Sequence, residues 1–250
     1  MRSDSPVAVV TGGTGGIGAA ICKALGSAGF AVVVGYRRSA AAAGRLAAAL
    51  PGSGHTAMSA AVTDSVSLRV MAAEVVKRYE RCDVLVNCAG TTRFVPHGDL
   101  AGLDDALIDE ILATNVRGSF ATVRALWPLL RVSPQPGGGV VINISSIAAR
   151  TAMGSNIMYC ASKAALDNMT LSLARALAPA VRVISVSPGL VDTEFVKSLD
   201  SGWRDAQAER TPLGRLAATE EVAAAVVVAV RDLTFTTGSV LSVDGGRPLN

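Results

Sequence analysis

Short apolar runs alternate along the chain with longer stretches in which alanine and leucine recur at helical spacing. Val7–Thr11, Ala31–Gly35, Thr56–Ala61, Asp83–Asn87, Val140–Ser145, Val181–Ser187 and Ser239–Val243 are rich in β-branched residues. They are continuously apolar rather than alternating, which predicts strands buried on both faces, as in a parallel sheet covered by helices. Between them Gly16–Ala28, Ala40–Leu50, Ser65–Tyr79, Leu103–Leu130, Met158–Ala178 and Thr219–Val230 read as helices, with a break expected near Ala113. This alternation from end to end predicts an α/β protein. The expected architecture is a single doubly wound Rossmann-type domain over residues 1–250, with a seven-stranded, mostly parallel sheet and helices on both faces.

No linker or repeat interrupts the pattern. The Pro/Gly-rich stretch Ser133–Gly139 falls between a helix and a strand and reads as a surface loop. The polar stretch Thr193–Arg210, which contains Phe195 and Trp203, matches neither a strong strand nor a strong helix. It is either a lid over a site or an irregular connection.

Composition narrows the classes. Among 250 residues, half are hydrophobic and 17% charged, too apolar and charge-poor for a disordered protein. The positive mean hydropathy, +0.42, owes much to alanine. The longest apolar run, Val222–Val230, is bounded by Glu221 and Arg231 and falls well short of the roughly 20 residues that a membrane helix needs. No apolar signal core precedes the first strand. The net charge of +3 is small and the basic residues are scattered, so neither nucleic acid nor membrane is an expected partner. Cys22, Cys82, Cys88 and Cys160 lack C-x-x-C spacing and only two histidines occur, which argues against a metal site and for a reduced, cytoplasmic chain.

The first strand runs into Thr11-Gly12-Gly13-Thr14-Gly15-Gly16-Ile17-Gly18. Glycines between a strand and a helix let the chain turn tightly and bring backbone N–H groups to a pyrophosphate at the helix start. Two registers are open, Gly13-x-Gly15-x-x-Gly18 and Gly12-x-x-x-Gly16-x-Gly18. Either predicts a dinucleotide site. NAD recognition needs a carboxylate about 20 residues further on. No Asp or Glu occurs between Asp4 and Asp64, and the second strand leads instead into Arg37-Arg38. A guanidinium can clamp a ribose 2′-phosphate, so NADP(H) is the expected cofactor.

Tyr159 and Lys163 stand four apart in a helical segment, so phenol and ammonium share a face. A nearby cation favours the phenolate, which suits a tyrosine to acid–base work. Ser146, 13 residues before Tyr159, closes the strand Val140–Ser145, where its hydroxyl would face the same crevice.

With these residues assembled, the chain resembles the classical short-chain dehydrogenase/reductase family, and in style its 3-oxoacyl-(acyl-carrier-protein) reductases, over nearly its whole length. Thr11–Gly18 is similar to the family's cofactor turn, with Gly12, Thr14, Gly16, Ile17 and Gly18 as implied contacts. Asn87-Cys88-Ala89-Gly90 stands where the family usually reads Asn-Asn-Ala-Gly, and Asn115-Val116-Arg117-Gly118 resembles its Asn-Val-x-Gly. Pro188-Gly189, with Val191 and Thr193 following, resembles the loop that holds the nicotinamide half. Thr237-Gly238 and Val243-Asp244-Gly245-Gly246 match the usual ending.

The resemblance implies that Tyr159 is general acid in ketone reduction and base in the reverse. It implies that Lys163 holds the nicotinamide ribose, Ser146 the substrate oxygen, and Asn115 a water leading from Lys163 to solvent. Donors preorganised around the oxygen that gains charge would lower the barrier. A homotetramer acting on a small-molecule or acyl-thioester substrate is implied too.

There are departures. The adenine-side Asp-Val of many members reads Ala61-Val62, so Val62 is left without its acidic neighbour, and Cys88 replaces an asparagine. Cys160 reads as a small buried residue and His97 as an ordinary surface histidine. The expected activity is NADPH-dependent reduction of a ketone or 3-oxoacyl group. NADP-linked oxidation of a secondary alcohol or sugar is the alternative, and a non-catalytic NADP sensor a remote one. Substrate choice is expected to rest on Thr91–Gly98, Ala148–Met158 and Thr193–Arg210. Arg93, Arg131 and Arg150 are the candidates for steering an acidic carrier.

Overall fold

The computed structural model describes residues 5–197 and 200–249. Seven strands, β1 (Val7–Thr11), β2 (Ala31–Tyr36), β3 (Thr56–Ser59), β4 (Val84–Asn87), β5 (Gly139–Ile144), β6 (Val181–Pro188) and β7 (Ser239–Val243), form one sheet. Their order is β3-β2-β1-β4-β5-β6-β7 and every pairing is parallel. The chain winds outward from β1 to β3, then returns to set β4 on the other side of β1. Such a reversal opens a crevice at the carboxyl ends of the strands.

The alternate residues of each strand feed two cores. On one face Ala8, Val10, Val32, Val34 and Ile142 meet α1 (Gly16–Ser27), α2 (Ala40–Ala49) and α10 (Thr219–Arg231) through Ile21, Leu25, Ala43, Val222 and Val226. On the other, Val7, Val9, Leu85 and Val141 meet α3 (Ser65–Tyr79), α5 (Ser119–Leu130) and α7 (Ile157–Leu177) through Leu68, Met71, Leu126 and Leu173. A strand with apolar side chains on both faces suits this arrangement and no one-sided one.

Three expectations change. The segment expected to break near Ala113 runs on: α4 (Asp105–Leu112) passes through a π-helical stretch, Ala113–Gly118, into α5. The helix is accommodated there because Gly118 has no side chain; a Cβ would stand 2.8 Å from Val62 Cγ2. Thr193–Arg210 is more helical than its polarity implied, with α8 (Glu194–Lys197) and α9 (Ser201–Glu209). Asp200 starts α9 by accepting from Trp203 N at 2.8 Å, a side-chain cap that satisfies an orphan donor. Arg131 follows α5, the crossover helix leading back to the start of β5, so it lies at the opposite edge of the sheet from the crevice.

At the far end of β6, Arg182 is buried and faces no carboxylate among the described residues. Its guanidinium donates to the carbonyls of Gly137, Ala229, Val230 and Leu233, at 2.9–3.2 Å, gathering the C-terminal turn of α10. Burial holds its pKa below the usual arginine range.

Candidate active site

Two clusters meet at the carboxyl edge of the sheet. The first is the turn between β1 and α1. Gly12 has φ +64, and a Cβ there would press on the Ala89 backbone at 2.9 Å. A Cβ on Gly18 would collide with the Gly12 carbonyl oxygen. Gly13 N donates to Gly35 O at 2.9 Å and Gly15 N to Gly12 O at 3.1 Å. Thr11 Oγ1 accepts from Cys88 N and Ala89 N, at 3.1 and 3.2 Å, tying this turn to the one after β4.

Helix α1 begins without a side-chain cap or an acidic residue in its first turn. That leaves N–H groups and a positive dipole end for an anion. Gly16 stands beside Thr193, whose Cγ2 would lie 3.3 Å from an added Cβ. Arg37 and Arg38 follow β2, exposed, with no hydrogen bond or ion pair among the described residues. The residues present therefore fit a nucleotide: a side-chain-free cradle, open helix donors and two unengaged guanidinium groups. Val62 is buried against Gly118, and Val191 bridges to Ala217.

The second cluster surrounds Tyr159 in the first turn of α7. Lys163, one turn on, is 6% exposed; its Nζ donates to Ile144 O at 2.8 Å and lies 5.7 Å from the centre of the Tyr159 ring. Ser146 sits just past β5, half-buried, its Oγ accepting from Ala148 N at 3.2 Å. Asn115, in the π-helical stretch, is buried: its Oδ1 accepts from Thr91 N at 2.8 Å and its Nδ2 donates to Thr91 O and Ser162 Oγ. Ser162 in turn donates to Tyr159 O at 2.8 Å.

Gly90 lies between these groups and the glycine turn. A Cβ on it would stand 3.5 Å from Asn115 Oδ1 and 3.8 Å from Lys163 Nζ. Beneath it a buried polar ladder crosses the sheet. Asn87 Nδ2 donates to Asn143 Oδ1, and Asn143 Nδ2 to Thr170 Oγ1, both at 2.9 Å. Burial pushes the Cys88 thiol up to about 11, with the Lys163 cation pulling the other way, so it stays a thiol at neutral pH. Cys160 is also buried and its pKa is raised by burial.

On the far side of the crevice, Gly189 N donates to Val243 O at 2.9 Å, and Arg204 pairs with Asp192 at 2.9 Å to hold α9. Arg247 donates to Gln207 O at 2.8 Å. A cavity of about 510 Å³ opens beside Gly16, Thr193, Lys197 and Thr219, on the nucleotide side rather than against Tyr159. Two of the suspected steering arginines are engaged: Arg93 with Asp104 at 3.1 Å, Arg150 with Ser242 Oγ at 2.8 Å. His97 is exposed and bonded to Gly154 O.

Among the described residues, no group of three or more His, Cys, Asp or Glu could hold a metal, and no helix is long and apolar enough to cross a membrane.

Within the loops expected to set substrate choice, three residues not singled out from the sequence bond to one another across the crevice. Thr92, Ser155 and Asn156 bind the loop after β4 to the start of α7. An asparagine three residues before Tyr159, at the start of a helix, is a cap signal that could have drawn attention to Asn156.

Comparison with known proteins agrees with this geometry. A family model described as enoyl-(acyl carrier protein) reductase matches residues 12–247. The chain is 42% identical over 248 residues to a protein of Streptomyces violaceoruber named as a granaticin polyketide synthase ketoacyl reductase, covering 98% of this chain and 97% of that one. It is 36% identical to D-threitol dehydrogenase of Mycolicibacterium smegmatis, over 98% and 94%. A crystal structure named as a short-chain dehydrogenase/reductase of Burkholderia xenovorans superimposes with a TM-score of 0.91 at 34% identity, each chain fully covered.

Proposed function

We propose that this chain, which belongs to the short-chain dehydrogenase/reductase family of oxidoreductases acting on ketones and alcohols, is an NADPH-dependent reductase of a ketone or 3-oxoacyl group. The observation that carries the reading is the meeting of Lys163 and Asn115 at Gly90, with the Tyr159 ring 5.7 Å from Lys163 Nζ, next to a glycine turn whose helix has no acidic residue in its first turn. The family uses a nicotinamide cofactor, which when bound supplies the hydride. Gly12, Thr14, Gly16, Ile17 and Gly18 would hold its pyrophosphate, and Arg37 and Arg38 the 2′-phosphate. Asn87, Ala89, Gly90 and Val62 would flank the nucleotide, and Pro188, Gly189, Val191 and Thr193 the nicotinamide half.

In this reading Tyr159 donates its hydroxyl proton to the carbonyl oxygen as negative charge develops there. Lys163 keeps a cation beside the phenol, Ser146 donates to the same oxygen, and Asn115 fixes the loop that closes the pocket. Donors held in place beforehand lower the barrier because they need no reorganisation at the moment of reaction. Since Arg93 and Arg150 are engaged and Arg131 is remote, carrier-free thioesters and small ketones are expected to react about as well as carrier-bound ones.

Phe120 on α5 and Leu171 on α7 are 44% and 49% exposed although their helices are otherwise core elements. These exposed apolar side chains favour self-association; the homotetramer is what the family resemblance implies, and light scattering would test it.

The decisive experiment follows the absorbance of NADPH and NADH with a panel of ketones and 3-oxoacyl thioesters. Reduction with clear NADPH preference is expected. Cofactor binding without turnover of any substrate would overturn the reading in favour of a sensor.

A further inference from the structure

Asn156 has no assigned part in the proposed chemistry, yet it is 1% exposed and uses every polar atom of its side chain. Its Oδ1 accepts from Tyr159 N at 2.7 Å, capping α7. Its Nδ2 donates both hydrogens to the loop after β4, to Thr92 Oγ1 at 3.1 Å and to Arg93 O at 2.8 Å. Further bonds surround it. Val95 N donates to Ser155 O at 2.8 Å, the Thr92 and Ser155 hydroxyls bond each other, and His97 Nε2 bonds Gly154 O at 3.2 Å.

The residue type is informative. A helix cap needs one acceptor, which Ser, Thr or Asp supplies as well as Asn. Only an amide also carries two donors, and here both reach a loop more than 60 positions away in the chain. Moving that loop from α7 would strand buried donors, at about 1–3 kcal/mol for each unsatisfied group. Loop 91–98 and the first turn of α7 therefore move as one piece.

We propose that Asn156 is a positioning residue that fixes the 91–98 wall of the substrate crevice to the turn carrying Tyr159. The distance from the phenol to a carbonyl resting on that wall is set before substrate arrives. The inference rests on the reductase reading above. Misplacement of reacting groups by about 1 Å can cost on the order of a hundredfold in rate, so the clamp bears on turnover and on which face of a ketone is presented.

Asn156→Asp and Asn156→Ser test this, because both keep the cap acceptor and lose the two amide N–H donors that reach Thr92 and Arg93. With ethyl acetoacetate and NADPH, kcat/KM is expected to fall about 10–100-fold, and the enantiomeric ratio of the hydroxyester to move toward unity. NADPH affinity should stay within about twofold of wild type, since neither variant touches the glycine cradle. Amide exchange at Val95 should accelerate at least about tenfold, a readout that does not depend on activity. Asn156→Ala, which also loses the cap, separates folding from positioning by a lower Tm than either.

Wild-type kcat/KM and enantiomeric ratio in both cap-retaining variants would overturn the proposal, as would unchanged exchange at Val95. If the wild-type protein reduces no ketone, the reductase reading fails instead, and the Val95 exchange rate alone then decides whether Asn156 fixes the loop.

Discussion

The nucleotide half of the crevice, from β1 to β3, and the substrate half, from β4 to β7, which would also take the nicotinamide end of the cofactor, are built by different means. In the first, the shape comes from backbone: Gly13 bonds Gly35, Gly15 bonds Gly12, and Gly12 and Gly18 lie where a Cβ would strike another segment's or the turn's own main chain. In the second, side chains span the chain. Asn115 reaches Thr91 and Ser162, Asn156 reaches Thr92 and Arg93, and Arg204 reaches Asp192. A backbone-built turn fixes the outline of the nucleotide and leaves the choice between nucleotides to side chains at its rim, Arg37 and Arg38. A side-chain-built half can be retuned by one substitution, which is where substrate choice belongs.

That contrast can be broken most directly at Tyr159. Tyr159→Phe should lower kcat about a thousandfold, in the middle of the usual range for a lost proton donor, while NADPH affinity measured by fluorescence stays near wild type. Near-normal turnover would remove the chemical role assigned to the substrate half. The reciprocal change is Arg37→Asp with Arg38→Ala. Loss of charge-assisted bonds to a phosphate should weaken NADPH binding by about 2–3 kcal/mol, leave NADH binding nearly unchanged, and spare kcat at saturating cofactor. An undiminished preference for NADPH in titrations would reassign the 2′-phosphate site.

A smaller effect, on stability and with it on NADPH affinity, is expected from Gly18→Ala. The added methyl meets the Gly12 carbonyl, a backbone atom with nowhere to go, so about 1–3 kcal/mol should be lost, lowering Tm by several degrees in thermal denaturation. An unchanged Tm would mean that the turn is looser than its contacts imply. The smallest effect should come from Arg204→Gln on the substrate side. Its partner Asp192 is 33% exposed, so the pair is worth less than about 1 kcal/mol. KM for ketone should rise less than about threefold, and raising the salt concentration should give the wild-type enzyme a similar change. A large, salt-independent loss would show that α9 is held as firmly as the glycine turn.

The same contrast explains what was legible in the sequence. Continuous apolar strands, their alternation with helices and the Gly12–Gly18 turn are local patterns, and the parallel sheet and cradle follow from them. The π-helical stretch at Ala113–Gly118 was expected as a break, because what allows it is the absence of a side chain at Gly118 opposite Val62, a contact between distant segments. The helix Ser201–Glu209 was hidden by its polarity; its cap, Asp200, is local, but its anchor, Asp192, is not. Asn156 was passed over for the same reason. Its capping half is readable three residues before Tyr159, while its clamp on Thr92 and Arg93 exists only once the loop after β4 meets the start of α7.

Arg182 carries a consequence for the order in which the chain can be completed. Its charge is compensated by carbonyl groups at positions 229, 230 and 233, which leave the ribosome long after β6 itself. Chains are made from the N-terminus at roughly 5–20 residues per second, so for some seconds a nascent β6 holds a cation with only the Gly137 carbonyl of its four acceptors already synthesised. Sheet assembly around β6 must wait, or keep that end wet, until α10 arrives. A ribosome stalled before residue 229 would thus present a chain with Asn115, Ser146, Tyr159 and Lys163 already made and a sheet that still lacks β7 and the end of α10.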